Sequence, residues 1–242
     1  MYDDIFEDEI VGIEIILSYL SRLKDMNEDR RFEEIGREKI VESIDQFVSE
    51  SDEDLCSIID KYVLELGDPE LCYEMAANIS WVDIKKYGQA IIDSNDIENN
   101  YFFAVNIGEA DVLKHGEVII ESLDPEYNYL FALYAPGANV SEHGKAVIKS
   151  KDVWYNYVFA LEVVGADILG HGRVIIDSKD LYYNYTFAEE IDGCDVKGHC
   201  DVLLNSNERE KYINKAIDET QYHLYPYLGI EKGKVKEKNR KN

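Results

Sequence analysis

Lys151-Asp152-Val153-Trp154-Tyr155-Asn156-Tyr157-Val158-Phe159-Ala160-Leu161-Glu162-Val163-Val164-Gly165-Ala166-Asp167-Ile168-Leu169-Gly170-His171-Gly172-Arg173-Val174-Ile175-Ile176-Asp177-Ser178 is a stretch of 28 residues that the chain repeats. Its histidine recurs as His115, His143, His171 and His199, always 28 positions apart. The neighbours keep step. His115-Gly116-Glu117-Val118-Ile119-Ile120-Glu121-Ser122 returns as His143-Gly144-Lys145-Ala146-Val147-Ile148-Lys149-Ser150. An aspartate (Asp124, Asp152, Asp180), a Tyr-Asn-Tyr triplet (127–129, 155–157, 183–185), Phe-Ala and a glycine (Gly137, Gly165, Gly193) complete each unit. Working outward without gaps, five full units cover 59–86, 87–114, 115–142, 143–170 and 171–198, and His199 opens a degenerate sixth. A fixed period of this length marks a solenoid of stacked units.

Each unit reads as two helices. Asp152 is a good N-cap and Gly165 a stop, so Val153 to Val164 forms the first helix. Asp167 caps the second, from Ile168 to about Asp177, and Ser178-Lys179 turns the chain into the next cap. Asn156, Phe159, Ala160 and Val163 share one face of the first helix, and Ile168, His171, Gly172, Ile175 and Ile176 share one face of the second. Neither face can be buried within one hairpin, so neighbours must stack. The fold class expected is an all-α solenoid of helical-hairpin repeats with helical caps at both ends.

The pattern Asp-x-x-Tyr-x-Tyr-x-Phe-Ala, then Gly, then a Val-Ile-Ile helix, resembles short tandem αα-hairpin repeats of uncharacterised phage and bacterial proteins. In architecture it is similar to HEAT-like solenoids. The resemblance covers about residues 59–216. It implies a fold and a binding role, and it brings no catalytic residue with it.

Outside the repeats, residues 1–58 are expected to be an acidic helical cap with two apolar stripes, Ile10–Leu23 and Ile35–Val48. Residues 59–206 hold the five repeats and the start of the sixth, 207–230 a C-terminal helical cap, and 231–242 a basic tail expected to be disordered. The whole chain of 242 residues has 50 Asp+Glu against 25 Lys+Arg, a net charge of -25. Such a surface repels a nucleic-acid duplex. No run of 18 apolar residues suggests a membrane span. The opening residues are acidic, where a secretion signal is basic. With only four cysteines, a reducing cytoplasm is the expected location.

The repeated columns read as packing. Stacked helices lie about 8–10 Å apart, so adjacent His of the column cannot share a metal that needs nitrogens at about 2 Å. Each is expected to be partly buried and to bond the neighbouring repeat or a loop. Gly88, Gly116, Gly144 and Gly172 sit inside a helix, where Gly costs about 1 kcal/mol relative to Ala. They imply close approach under a Tyr or Phe ring. Asn100, Asn128, Asn156 and Asn184 lie on an apolar face, so their amides must be bonded. Backbone groups of the adjacent repeat are the expected partners. Cys72 takes an Asn position, Cys200 a Gly position and Cys194 an Ala position, as small apolar fillers. No nucleotide-binding loop, nucleophile elbow or zinc motif appears, so no cofactor, metal or enzymatic activity is expected.

Specificity is left to the columns that vary. The second helices read Glu117/Glu121, then Lys145/Lys149, then Arg173/Asp177, with Lys151 and Lys179 in the following turns. The first helices of the same units begin Trp154-Tyr155 and Tyr182-Tyr183, where earlier units have Glu98-Asn99 and Glu126-Tyr127. Lys145, Lys149, Lys151, Trp154, Tyr155, Arg173, Lys179 and Tyr182 are therefore the candidate partner-binding residues of a non-enzymatic interaction module. A second expectation rests on the N-terminal carboxylates: residues 1–60 hold 19 Asp+Glu and 6 Lys+Arg. Rows of carboxylates can imitate a phosphate backbone, as in an acidic inhibitor of a nucleic-acid-handling complex of the phage anti-defence type.

Overall fold

The computed structural model describes residues 16–18, 20–22, 24, 36–48 and 52–230. The acidic run Asp3–Glu9, Glu50 and the tail 231–242 lie outside the described residues. The described residues are all-α and contain no strand. Helices run in consecutive pairs, each a hairpin of a first helix (69–78, 97–106, 125–134, 153–162, 181–190) and a second helix (84–94, 112–122, 140–150, 168–178, 196–204). Spans 37–47 and 53–66 precede them; 209–218 and 225–228 follow. Helix 53–66 runs through the boundary expected at 58/59, so the second-helix pattern already starts there.

Contacts divide the chain into two compact units, one of Met1–Ile119 with Ala135–Gly137 and one of Ile120–Tyr134 with Ala138–Asn242. In the first, helix 37–47 packs on 69–78, and Ile40, Val41 and Ile44 of the expected second stripe are buried beside Ile16 and Leu20 of the first. The Arg37 guanidinium grips the Asp68 carboxylate through two bonds of 2.9 and 2.8 Å and reaches Glu70 at 2.8 Å. In the second unit, first helices stack on first helices and second on second. Its C-terminal end closes over a cluster that includes Tyr185, Cys200, Leu203, Tyr212, Tyr225 and Ile230.

The turns follow from local chemistry. The Asp152 carboxylate accepts the Tyr155 N–H at 2.9 Å, and the Asp167 carboxylate accepts that of Gly170 at 2.9 Å. These caps satisfy amides that the first helical turn leaves without partners. Four of the five second helices end on a residue in the left-handed region: Asn95, Leu123, Lys151 and Lys179 have φ of 56, 57, 61 and 59°, whereas helix 196–204 ends on Asn205 at φ -86°. The Ser150 hydroxyl donates to the Val147 carbonyl at 2.7 Å and accepts the Asp152 N–H at 3.1 Å. The same bonds recur at Ser94 and Ser178. One serine thus joins the end of one helix to the cap of the next.

Candidate functional site, a tyrosine-rich face over a buried polar ladder

The interior carries polar groups that repeat. The Asn156 amide nitrogen donates to the Val147 carbonyl at 3.0 Å and to the Asp152 carbonyl at 2.7 Å. Asn100 and Asn184 make the same two bonds. With both amide hydrogens spent, the side-chain oxygen is left to accept. It meets the Nδ1 of the histidine 15 residues on: His171 to Asn156 at 2.8 Å, His143 to Asn128 at 2.9 Å and His199 to Asn184 at 2.9 Å. His115 to Asn100, at 2.7 Å, is the counterpart in the first unit. The acceptor fixes the tautomer, because a carbonyl oxygen can be bonded only by an Nδ1–H. Nε2 then keeps a bare lone pair, and in all four histidines it is buried with no hydrogen-bond partner. Burial, only partly offset by the cap aspartates Asp111, Asp167 and Asp195 where present, pulls all four down to about 4. The imidazoles are neutral structural donors.

The asparagines reach the backbone of the second helix of the preceding hairpin, the adjacent-repeat partner expected of them, as well as the cap carbonyl of their own helix. The histidine column is corrected: each ring bonds the asparagine of its own hairpin rather than a neighbouring repeat or a loop, and it is fully buried rather than partly so. Each ring also lies 4.7–4.9 Å from the phenylalanine of the helix before it. The glycine column faces that pair. A Cβ on Gly172 would stand 3.1 Å from Phe187 and 3.2 Å from the His199 Nε2, and one on Gly88 would stand 3.0 Å from Phe103. Cys72 and Cys200 are buried fillers whose thiols are pushed up to about 12 by burial. Among the described residues no three His, Cys, Asp or Glu converge as metal ligands, and no helix is long and apolar enough to cross a membrane.

A second ladder runs along the first helices. The Tyr129 phenol donates to Glu162, Tyr157 to Glu190, and Tyr185 to Glu219 at 2.6 Å. Burial first, then the glutamate, pushes each phenol up, which keeps it a donor. Around this ladder the aromatic rings cluster in two groups. Trp154 lies 6.1 Å from Tyr157 and 6.4 Å from Tyr183, Tyr182 lies 5.2 Å from Tyr183, and Tyr155 lies 6.2 Å from Tyr129. Trp154 is 49% and Tyr182 58% exposed.

The eight candidate residues therefore fall on two kinds of element. Trp154, Tyr155 and Tyr182 belong to the first-helix patch. Lys145, Lys149 and Arg173 stand exposed on second helices, and Lys151 and Lys179 end them. Lys145 is tied to Glu142 at 2.6 Å and Arg173 to Asp177 at 3.1 Å, each on its own helix. Lys179 lines a groove of about 740 Å3 with Ile176, Asp177, Gly198 and Asp201. The division is general. Between residues 69 and 204 every Lys and Arg lies on a second helix or in the turn that ends it. The first helices carry none, yet they carry Glu126, Glu162, Glu189 and Glu190 beside the rings.

Comparison with known protein families, curated proteins and solved structures finds no significant match to this chain.

Proposed function

We propose that the chain is a non-enzymatic interaction module. It binds a protein partner through the variable surface columns of its repeats, with Trp154 and Tyr182 as anchors. One observation carries this reading. The polar side chains that recur are consumed by bonds between helices, whereas the columns that change from unit to unit hold half-exposed aromatic rings. A ring this exposed costs hydration in the free chain and gains most when a partner covers it. Lys145, Lys149, Lys151, Arg173 and Lys179 form the second part of the surface. They supply orientation rather than anchoring, because solvated charges contribute little to affinity. The likeness to tandem αα-hairpin repeats agrees with a binding role.

The test is affinity capture from the native cell extract, with partners quantified by mass spectrometry. The variants are Trp154→Ala/Tyr182→Ala and Lys149→Gln/Arg173→Gln. Loss of a captured protein by about tenfold or more in the first variant, with a smaller loss in the second, supports the reading. Partners retained in full by both variants defeat it.

A further inference from the structure

Which chemistry the first-helix face fits follows from its composition. On helices 125–134, 153–162 and 181–190 it offers exposed Trp154 and Tyr182 rings, the carboxylates of Glu126, Glu162 and Glu190, and no cation. An aromatic face is negative and attracts an ammonium or guanidinium group, more strongly where carboxylates flank it. The molecule already uses this mode: Lys24 lies over Tyr62 and pairs with Glu65, Lys211 lies over Tyr212 and pairs with Glu208, and a third case adjoins this face. The Lys215 ammonium sits 4.1 Å above the Tyr185 ring and 3.9 Å from the Glu219 carboxylate that the Tyr185 phenol bonds. The layers before it repeat the tyrosine and the glutamate, as Tyr157 with Glu190 and Tyr129 with Glu162, but no first-helix lysine fills them.

We infer that this face binds an extended, arginine- or lysine-rich segment of a protein partner, with its cations seated on Trp154 and Tyr182 between the glutamates. The spacing is set by the stack. One column reads Glu126, Trp154, Tyr182 in successive layers. Packed helices lie about 8–10 Å apart, and three residues of a polyproline II segment advance about 9 Å with side chains returning to the same side. A cation at every third residue therefore meets one layer each.

The inference rests on the binding role proposed above and names its ligand class. It is tested with a fluorescein-labelled peptide of Arg-Pro-Ser repeated three times, followed by fluorescence anisotropy on the full chain at 0.15 M salt. The comparison peptide has the same composition with its three arginines in one block. Trp154→Ala/Tyr182→Ala leaves the net charge unchanged and should weaken binding at least tenfold, with Trp154→Phe/Tyr182→Phe retaining most of it. Glu126→Gln/Glu190→Gln should weaken it more than fivefold, while Glu117→Gln/Glu121→Gln, with the same charge change on a second helix, should stay within twofold. The spaced peptide should bind at least fivefold tighter than the blocked one. Equal losses in the two glutamine pairs, or no loss on ring removal, would overturn the inference, because the peptide would be held by net charge alone. If the peptide fails while the ring variant still loses a captured partner, only the ligand class falls.

Discussion

Lowering the pH from 7 to 5 should unfold this protein from within, before most of its carboxylates titrate. The cause is the histidine ladder. In the folded chain the four imidazoles have pKa values of about 4, against about 6.5 in an unfolded chain. Between those values the unfolded chain binds more protons, so stability rises with pH and is lost as pH falls. The contribution is full above about pH 6.5 and gone below about pH 4. Each histidine loses about 2 kcal/mol between pH 7 and 5, and the four together about 7 kcal/mol, comparable with the whole stability of a domain. Geometry gives the reason. Protonation places a hydrogen on an Nε2 that is buried against a glycine and a phenylalanine ring, with no acceptor. The assay is urea denaturation followed by circular dichroism at half-unit pH steps, with imidazole nitrogen shifts recorded in parallel. The reasoning is refuted if the midpoint holds steady from pH 7 to 5. It is equally refuted if the ring shifts show hydrogen on Nε2 rather than Nδ1 near neutrality.

Other perturbations test the same packing. Asn156→Leu leaves the buried His171 Nδ1–H without its partner and should cost about 1–3 kcal/mol in urea denaturation. Asn156→Leu/His171→Leu should cost less than the sum of the two single changes, since the pair is coupled. Gly172→Ala should destabilise despite a gain of about 1 kcal/mol in helix propensity, because Phe187 and His199 stand 3.1 and 3.2 Å from the new methyl. Gly144→Ala, with its nearest ring atom at 3.3 Å, should be milder, and reversed order in thermal melts would show that the rings yield freely. Lys151→Gly and Lys179→Gly should each stabilise by about 0.5–1 kcal/mol by relieving positive φ at a helix end. Their thermal midpoints should rise, and a fall would mean that the lysine side chains contribute to the fold.

The repeat made the architecture legible. Caps at Asp152 and Asp167, the glycine stop and the serine turn are local signals, and the helices lie within two residues of where those signals put them. The polar ladder was legible too, but only to a reading that takes two columns together. At the first repeat, Cys72 stands where later units have asparagine, and Tyr87 stands where they have histidine, with the same spacing of 15 residues. Both depart at once because each needs the other: the asparagine oxygen has no imidazole to accept from, and the Tyr87 hydroxyl instead donates to Asp60 at 2.8 Å. Weighed singly, each column shows only that it is structural. The surface was harder for a different reason. Lys151 and Trp154 are three residues apart and look like one site, yet the turn between them moves the chain from a second helix to a first. Cations and rings close in sequence therefore belong to different stacks, and the carboxylates that meet the aromatic patch, Glu126 at Tyr155, Glu162 at Tyr129 and Glu190 at Tyr157, come from neighbouring layers. A repeat separates packing from recognition by using the same residues for every interface, and what it leaves free at 154 and 182 is the part that evolution could change without disturbing the stack.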